Sequence, residues 1–508
     1  MFRLSVCLAA VLAAAPQGEQ PQTPAAGARG VLTRAIQAMG GEAALNGIST
    51  LQIEAIGHDY FIEQSERPEG PFIPRYLQTS EKRDVTGGRS RIETQQRFTQ
   101  VPDWTGAGLT LIVDGDAAVI HRGERYAPAG RQAFDDGRER IELAPERLLF
   151  TALAAPDPAL APDVIVHGIV QRAVTFTWRG HKARLLLDSG NFMPTALDLA
   201  VPDTWGVWGT IRQTTYYSLW TLLPGGVRYP LQTDRDLNGA SRMSASIMKI
   251  SVNAPFDAAL FTIPVDAKAA FAALPTATRW DVLKLDADKQ RVEVVPEKVV
   301  QYGGNWNVGV VVQPDGLVIL EAPITSGYSV QVLDEMAKRY PRVKIKAVIT
   351  TSDAWPHIGG VREYVARGIP VYALDLNRPI LERLLKADHS DRPDALAKAP
   401  RSGKFTWISN KTTIGTSDTR MDVYPMRGEN GERMLMAYFP ALKLLYTSDN
   451  IMPGRSGGFS MPETLVEVRD AVKRERLDVE RIFGVHVGPT PWSAIEAAIS
   501  SASSSPAR

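Results

Sequence analysis

A chain of 508 residues exceeds what one hydrophobic core ordinarily organises and is expected to divide into two folded units. Its 57 basic and 56 acidic residues leave a net charge of +1, and no run of five like charges occurs, so the electrostatic footprint that phosphate backbones require is missing. The single cysteine, Cys7, lies in the leading segment, which excludes disulfides and cysteine catalysis from the chain that follows it.

Arg3, the short apolar run Leu4 to Leu12 and the small residues Ala13 to Ala15 read as a secretory signal peptide over residues 1–15, and imply a periplasmic or secreted protein. Residues 16–29, rich in Pro, Gln, Gly and Ala, read as a flexible leader. No later apolar stretch approaches the ~20 residues that a spanning helix needs. A short amphipathic helix is expected at Val31 to Met39, stopped by Gly40 and Gly41.

From residue 30 to about 280 the pattern is that of strands. Leu51 to Ile56, Leu109 to Val113, Ala117 to Ile120, Val174 to Trp178, Arg184 to Asp188 and Trp208 to Ile211 are short, β-branched or aromatic, and separated by turn residues. An antiparallel sheet or half-barrel fits them. Trp104, Trp178, Trp205, Trp208 and Trp220 read as core and rim aromatics of such a sheet. The phrases Ala38-Met39-Gly40-Gly41, Gly226-Val227-Arg228-Tyr229-Pro230, Val252-Asn253-Ala254-Pro255-Phe256-Asp257 and Phe261-Thr262-Ile263-Pro264 are similar to those of the curved sheet domains of periplasmic lipoprotein carriers. This half is similar, too, to the leader domains of some exported metallo-β-lactamase-like proteins. That resemblance implies either a surface for a small-molecule or lipid-like ligand or a supporting domain.

A change of period marks a second domain, expected over residues 290–499. Asn307 to Gln313 and Leu317 to Glu321 form a hairpin around Pro314-Asp315-Gly316. A helix follows over Tyr328 to Tyr340, then a strand over Val343 to Ile349, a helix from Gly360 to Arg367 and a strand at Pro370 to Ala373. Alternating strands and helices imply sheets covered by outer helices. Residues 500–508, mostly Ser, Ala and Pro, read as a disordered tail.

Several phrases in this half stand in the order shown by the metallo-β-lactamase superfamily. They are Glu321-Ala322-Pro323, then Ala347-Val348-Ile349-Thr350-Thr351 leading to His357-Ile358-Gly359-Gly360, then Leu444 to Asp449, then Ile482 to Gly488. The resemblance implies an αββα sandwich with a metal-dependent hydrolase site at one edge. The superfamily's signature, His-x-His-x-Asp-His, is degenerate here. Counted back from His357, the aspartate position is Pro356 and the two earlier histidine positions are Ala354 and Ser352. The next histidine position falls near Asn430. Serine, alanine, proline and asparagine are not zinc donors of any strength, so the first of the family's two metals is expected to be absent.

His357, Asp449 and His486 survive, and the resemblance implies that they are the ligands of one zinc ion. Asp353, in the same loop, is a candidate replacement ligand or general base, or simply a turn residue. His357 at a helix start and Asp449 after Thr447-Ser448 also suit purely structural roles, and counting ligands ranks a metal-free fold first, one metal second and two metals last. His389 sits in a polar stretch expected to be an exposed loop. No Gly-x-Ser-x-Gly turn supports serine catalysis, and Arg455-Ser456-Gly457-Gly458 follows no phosphate-loop pattern. Two functions follow: a single-metal hydrolase of activated esters or thioesters, or a non-catalytic binding or scaffold protein that keeps the fold.

Overall fold

The computed structural model describes residues 24–62, 70, 72–98, 108–123, 125–275, 283–304, 306–454 and 457–504. The expected signal peptide, the first part of the expected leader, Trp104, Arg455, Ser456 and residues 505–508 of the expected tail lie outside these residues.

The first unit is built on a 13-stranded antiparallel sheet made of two meanders. One runs outward from Thr50–Phe61 to Arg125–Pro128, and the other inward from Ala159–Val166 to Ala240–Val252. They are joined where Thr50–Phe61 pairs with Ala240–Val252, Leu51 opposite Val252 and Asp59 opposite Met243. Because the first meander stops at one edge and the second begins at the other, the chain between them has to travel the width of the sheet. It does so as the helices Arg131–Glu142 and Pro145–Ala154, neither of which the period-two reading anticipated.

Helix Pro24–Ala38 starts inside the stretch expected to be a flexible leader, seven residues before Val31. The cause is on its buried face: Ala28, Leu32, Ala35 and Ile36 recur at helical spacing and pack with Leu148, Leu149 and Ala152 of helix Pro145–Ala154 in the core on one side of the sheet. At the far end of the chain, helix Trp492–Ser504 likewise runs into the expected tail, anchored by Ile495 and Ile499.

The second unit holds two further sheets. The seven-stranded one starts with an antiparallel run, Arg291–Val295, Val299–Tyr302, Val308–Gln313 and Gly316–Leu320, and continues with parallel strands Ile345–Ile349, Val371–Leu374 and Phe405–Ile408. The six-stranded one contains Met421–Pro425, Leu435–Phe439, Leu444–Thr447 and, parallel to the last, Arg481–Gly484. Val311, Val318, Leu320 and Ile349 of the first share a core with Val423, Ala437, Tyr446 and Phe483 of the second. The opposite face of the first sheet, with Val310, Ile319 and Val348, takes Val332, Leu333 and Met336 of helix Ser326–Arg339. That of the second, with Met436, Leu445 and Ile482, takes Leu465, Val468 and Ile495 of the helices Pro462–Arg474 and Trp492–Ser504. The near-continuous apolar strands of the sequence are thus buried on both faces, as parallel strands must be.

The two units meet through the loop before strand Thr210–Leu222. Trp208 and Gly209, expected to be strand, belong to this loop, where Asp203 accepts hydrogen bonds from the N–H groups of Val207 and Trp208. Val207 is buried among Ile358, Val361 and Tyr364 of the second unit. Gly209 lies so close to the carbonyl of Asp388 that a Cβ would sit 1.8 Å from its oxygen, and Thr210 donates to the same oxygen at 2.7 Å. His389, expected to be exposed, is buried beneath this contact at 6 % exposure. Among the described residues, no helix is long and apolar enough to cross a membrane.

Candidate metal centre

Four parallel strand ends converge at one edge of the second unit. Glu321 follows strand Gly316–Leu320, Thr350 follows Ile345–Ile349, Ser448 and Asp449 follow Leu444–Thr447, and Val485 and His486 follow Arg481–Gly484. Parallel strands direct the loops after their carboxyl ends to the same side, which is why residues far apart in the chain meet here. The two sheets are tied at this edge by Gln301, whose side chain donates to the carbonyls of Gly484 and Val487 at 2.8 and 3.0 Å.

The loop bearing His357 is fixed by close backbone approach. Ile324 N–H donates to Pro356 O at 2.7 Å and Gly360 N–H to Ala322 O at 2.8 Å. A Cβ on Gly359 would lie 2.3 Å from Ile324 O, and one on Gly360 2.0 Å from Ser329 Oγ. Only glycine fits at either position, so Gly359-Gly360 is what lets the His357 turn dock against residues 321–325.

His357, Asp449 and His486 come together, each offering a ligand atom within 4.8 Å of the others, the only such group of three among the described residues. His357 Nε2 lies 3.2 Å from Asp449 Oδ2, and His486 Nε2 lies 2.6 Å from Asp449 Oδ1. The imidazole rings stand nearly perpendicular, at 86°. His357 is sealed from solvent, whereas the side chains of Asp449 and His486 keep 23 % and 17 % exposure, so the group opens on its His486 side. Both ring nitrogens of His357 and Oδ1 of Asp449 are buried without a hydrogen bond of acceptable geometry despite these short approaches. Two imidazole nitrogens and a carboxylate within 4.8 Å of one another suit a cation placed between them.

Behind His357 lies Glu321, a fully buried carboxylate that sequence reasoning placed in the family phrase but not in the site. Its Oε2 is 3.4 Å from His357 Nδ1. Its Oε1 accepts from the Thr351 hydroxyl and from Thr351 N–H at 3.3 Å, and the Tyr446 hydroxyl lies 3.5 Å away. The available signal was one charge ending the all-apolar strand Leu317 to Leu320. Burial by itself lowers the pKa of His357, but Asp449 and then Glu321 override it and hold the imidazole at about 10. Burial likewise pushes Asp449 up, and His357 and His486 pull it well below the usual carboxylate range.

The other expected site residues stay outside this triad. Asp353 is buried at 3 % exposure and is not one of the converging donors. Ser352 is fully buried, its hydroxyl accepting from Ala354 N–H at 3.2 Å. Pro356 opens the short helix Trp355–Ile358 from within, and Asn430 spends its amide on Glu467 at 2.9 Å. No imidazole or carboxylate stands at any of the four degenerate positions Ser352, Ala354, Pro356 and Asn430.

No protein-family model matches the chain, and no curated protein does. Among solved structures, its neighbours are metallo-β-lactamase-fold proteins and alkylsulfatases at low identity and partial coverage. The DIM-1 metallo-β-lactamase is 13 % identical over 41 % of this chain and 93 % of its own, with a TM-score of 0.32. A metallo-β-lactamase from Pontibacter korlensis is 13 % identical over 42 % of this chain and 97 % of its own, at 0.32. The inverting sec-alkylsulfatase Pisa1 from Pseudomonas sp. is 15 % identical over 41 % of this chain and 40 % of its own, at 0.31.

Proposed function

We propose that this is an exported, periplasmic or secreted protein whose residues 290–499 form an αββα metallo-β-lactamase sandwich with one zinc ion held by His357, Asp449 and His486. The observation that carries the reading is the convergence of those three donors, two nitrogens and a carboxylate, within 4.8 Å of one another. Two imidazoles and one carboxylate are the ligand set of a zinc site that keeps a fourth position open. Bound there, the ion would polarise an ester or thioester carbonyl and acidify a coordinated water. The chain's own part is orientation: Glu321 fixes the His357 ring from behind, and the partial exposure of Asp449 and His486 admits a ligand from one side only.

With serine, alanine, proline and asparagine at the remaining positions, a second metal has no donors, and turnover is expected to be weak and confined to activated esters or thioesters. The test is a panel of small esters, thioesters and lactams with zinc, with manganese and after chelation. Metal-dependent ester turnover that vanishes in His486→Ala supports the reading, and robust lactam turnover contradicts the ligand assignment.

One observation favours a second reading, a non-catalytic binding protein that has kept the fold. His357 sits between two carboxylates, with Glu321 3.4 Å from Nδ1 and Asp449 3.2 Å from Nε2, and their charges favour a protonated ring, which would satisfy both carboxylates without a metal ion. A flat panel together with stoichiometric absence of metal would establish that reading instead.

A further inference from the structure

A cavity of about 1020 Å³ opens where the loop before strand Thr210–Leu222 and one end of the large sheet face the second unit. Four of the chain's ten tryptophans, Trp205, Trp208, Trp306 and Trp355, line it. Trp205 and Trp208 come from the first unit and Trp306 and Trp355 from the second, so neither unit makes the wall alone. Trp205, Trp208 and Trp306 remain only half-buried. The indoles form a continuous path to the triad, with ring centroids 5.0 Å apart from Trp205 to Trp355, 6.4 Å from Trp355 to Trp306 and 6.2 Å from Trp306 to His486. Partly exposed indoles gathered on one concave surface offer apolar area that a flat ring system would cover.

Charge at the sheet end of the cavity points the same way toward a ligand. Arg75 and Arg242 both line it, and both are paired with the single buried carboxylate of Asp59, with Arg242 at 3.3 Å. Among the described residues, two guanidinium groups share this one carboxylate. The guanidinium of Arg383, exposed at the rim, lies 4.8 Å over the ring of Trp208. The acidic lining residues are placed otherwise: Asp203 is spent on its own loop's N–H groups, and Glu382 and Asp388 are exposed at the rim, where water screens them.

We propose that this interdomain cleft binds a planar aromatic ligand carrying one anionic group, its ring on the tryptophan wall and its anion toward Arg75 and Arg242. The claim that such a ligand reaches the triad rests on the functional reading above, while binding itself does not require a metal ion.

Calorimetric titration of the full-length chain in the presence of a chelator separates the two. The probes are 2-naphthoate, 2-naphthol as a ring without charge, and octanoate as an anion without a ring. The expected result is that 2-naphthoate binds at least tenfold more tightly than either. Trp208→Leu should weaken both naphthyl probes at least fivefold, and Arg242→Gln should weaken 2-naphthoate while leaving 2-naphthol unchanged. Trp306→Leu, on the opposite wall, decides the ring contact if Trp208→Leu fails to give a native circular-dichroism spectrum. Equal affinity for 2-naphthoate and octanoate, equal affinity for 2-naphthoate and 2-naphthol, or wild-type binding in the tryptophan variants would overturn the proposal. Because no metal is present, loss of the hydrolase reading would leave these outcomes unaltered.

Discussion

Glu321 shows how much one side chain can hold in place. It ends a strand with a positive φ of 80°, is fully buried, and has Thr351, Tyr446 and His357 as its neighbours. Removing it leaves His357 Nδ1 and the Thr351 donors facing no carboxylate inside the core, so Glu321→Ala should lower stability by about 2–4 kcal/mol in urea unfolding. Glu321→Gln, which keeps an acceptor for Thr351, should cost clearly less. Equal losses in the two variants would show that the charge of Glu321 is not what His357 feels. This residue also marks where sequence reading stopped. His357, Asp449 and His486 were legible from phrase order, whereas Glu321 becomes visible only when parallel strand ends are seen to converge. A second residue-scale effect lies far from the site, at Glu142. Burial raises the pKa of its carboxyl, but hydrogen bonds from Arg179, Arg138 and Trp178 outweigh that and bring it to about 2, against 4.5 for the free group. A depressed folded-state pKa means stabilisation that is complete above 4.5 and lost as pH falls toward 2. With the side chain 22 % exposed and screened by water, the pH-dependent contribution should be about 1–2 kcal/mol. Unfolding of the wild type and of Glu142→Gln measured from pH 6 to 2.5 should converge at the acid end, and parallel curves would contradict the assignment.

At the scale of elements, two of the strands that escaped sequence reading share a cause. Ile73–Asp84 and Arg89–Phe98 carry Arg, Glu, Gln, Ser and Thr rather than an apolar alternation, and they pair along most of their length. Part of what they bury is polar: Arg83 is enclosed with Glu81 at 2.8 Å and Glu146 at 2.5 Å, and Tyr229 donates to Glu146 at 3.1 Å. An ion pair between a strand and the helix Pro145–Ala154 replaces the apolar contact that a period-two search looks for. Because the pair is sealed from water, Glu146→Ala should cost about 3–5 kcal/mol, far more than a surface pair. A loss below about 1 kcal/mol would mean that water reaches Arg83. The helices Arg131–Glu142 and Pro145–Ala154 were missed for a topological reason, since only the strand order shows that the chain must cross the sheet between its two meanders. In the second unit, by contrast, apolar runs such as Val308–Gln313 and Gly316–Leu320 are buried on both faces and stand where the sequence puts them to within a residue.

For the whole molecule the governing contact is the insertion of Val207 and Gly209 into the second unit, supported by the hydrogen bonds of Thr210 to Asp388 and Asp391. Val207→Asp would bury a carboxylate without a partner beside Ile358. Calorimetric unfolding of the wild type should then give one coupled transition, and that of Val207→Asp two separated ones. A single unshifted transition in the variant would show that this loop does not couple the units. This loop also links the first unit to the His357, Asp449 and His486 group, because Val207 packs against the turn that carries His357.

The proposed zinc ion is held by three residues that the chain brings together from distant positions, and equilibrium dialysis against zinc at pH 7.5, followed by metal analysis of the full-length protein, measures it. The expected result is about one zinc per chain for the wild type and the same for Asp353→Ala, since Asp353 is not among the converging donors. In His357→Ala, Asp449→Ala and His486→Ala, retention should fall at least tenfold while circular dichroism stays native. A wild-type protein that leaves dialysis without zinc, or variants that retain as much as the wild type, would contradict it.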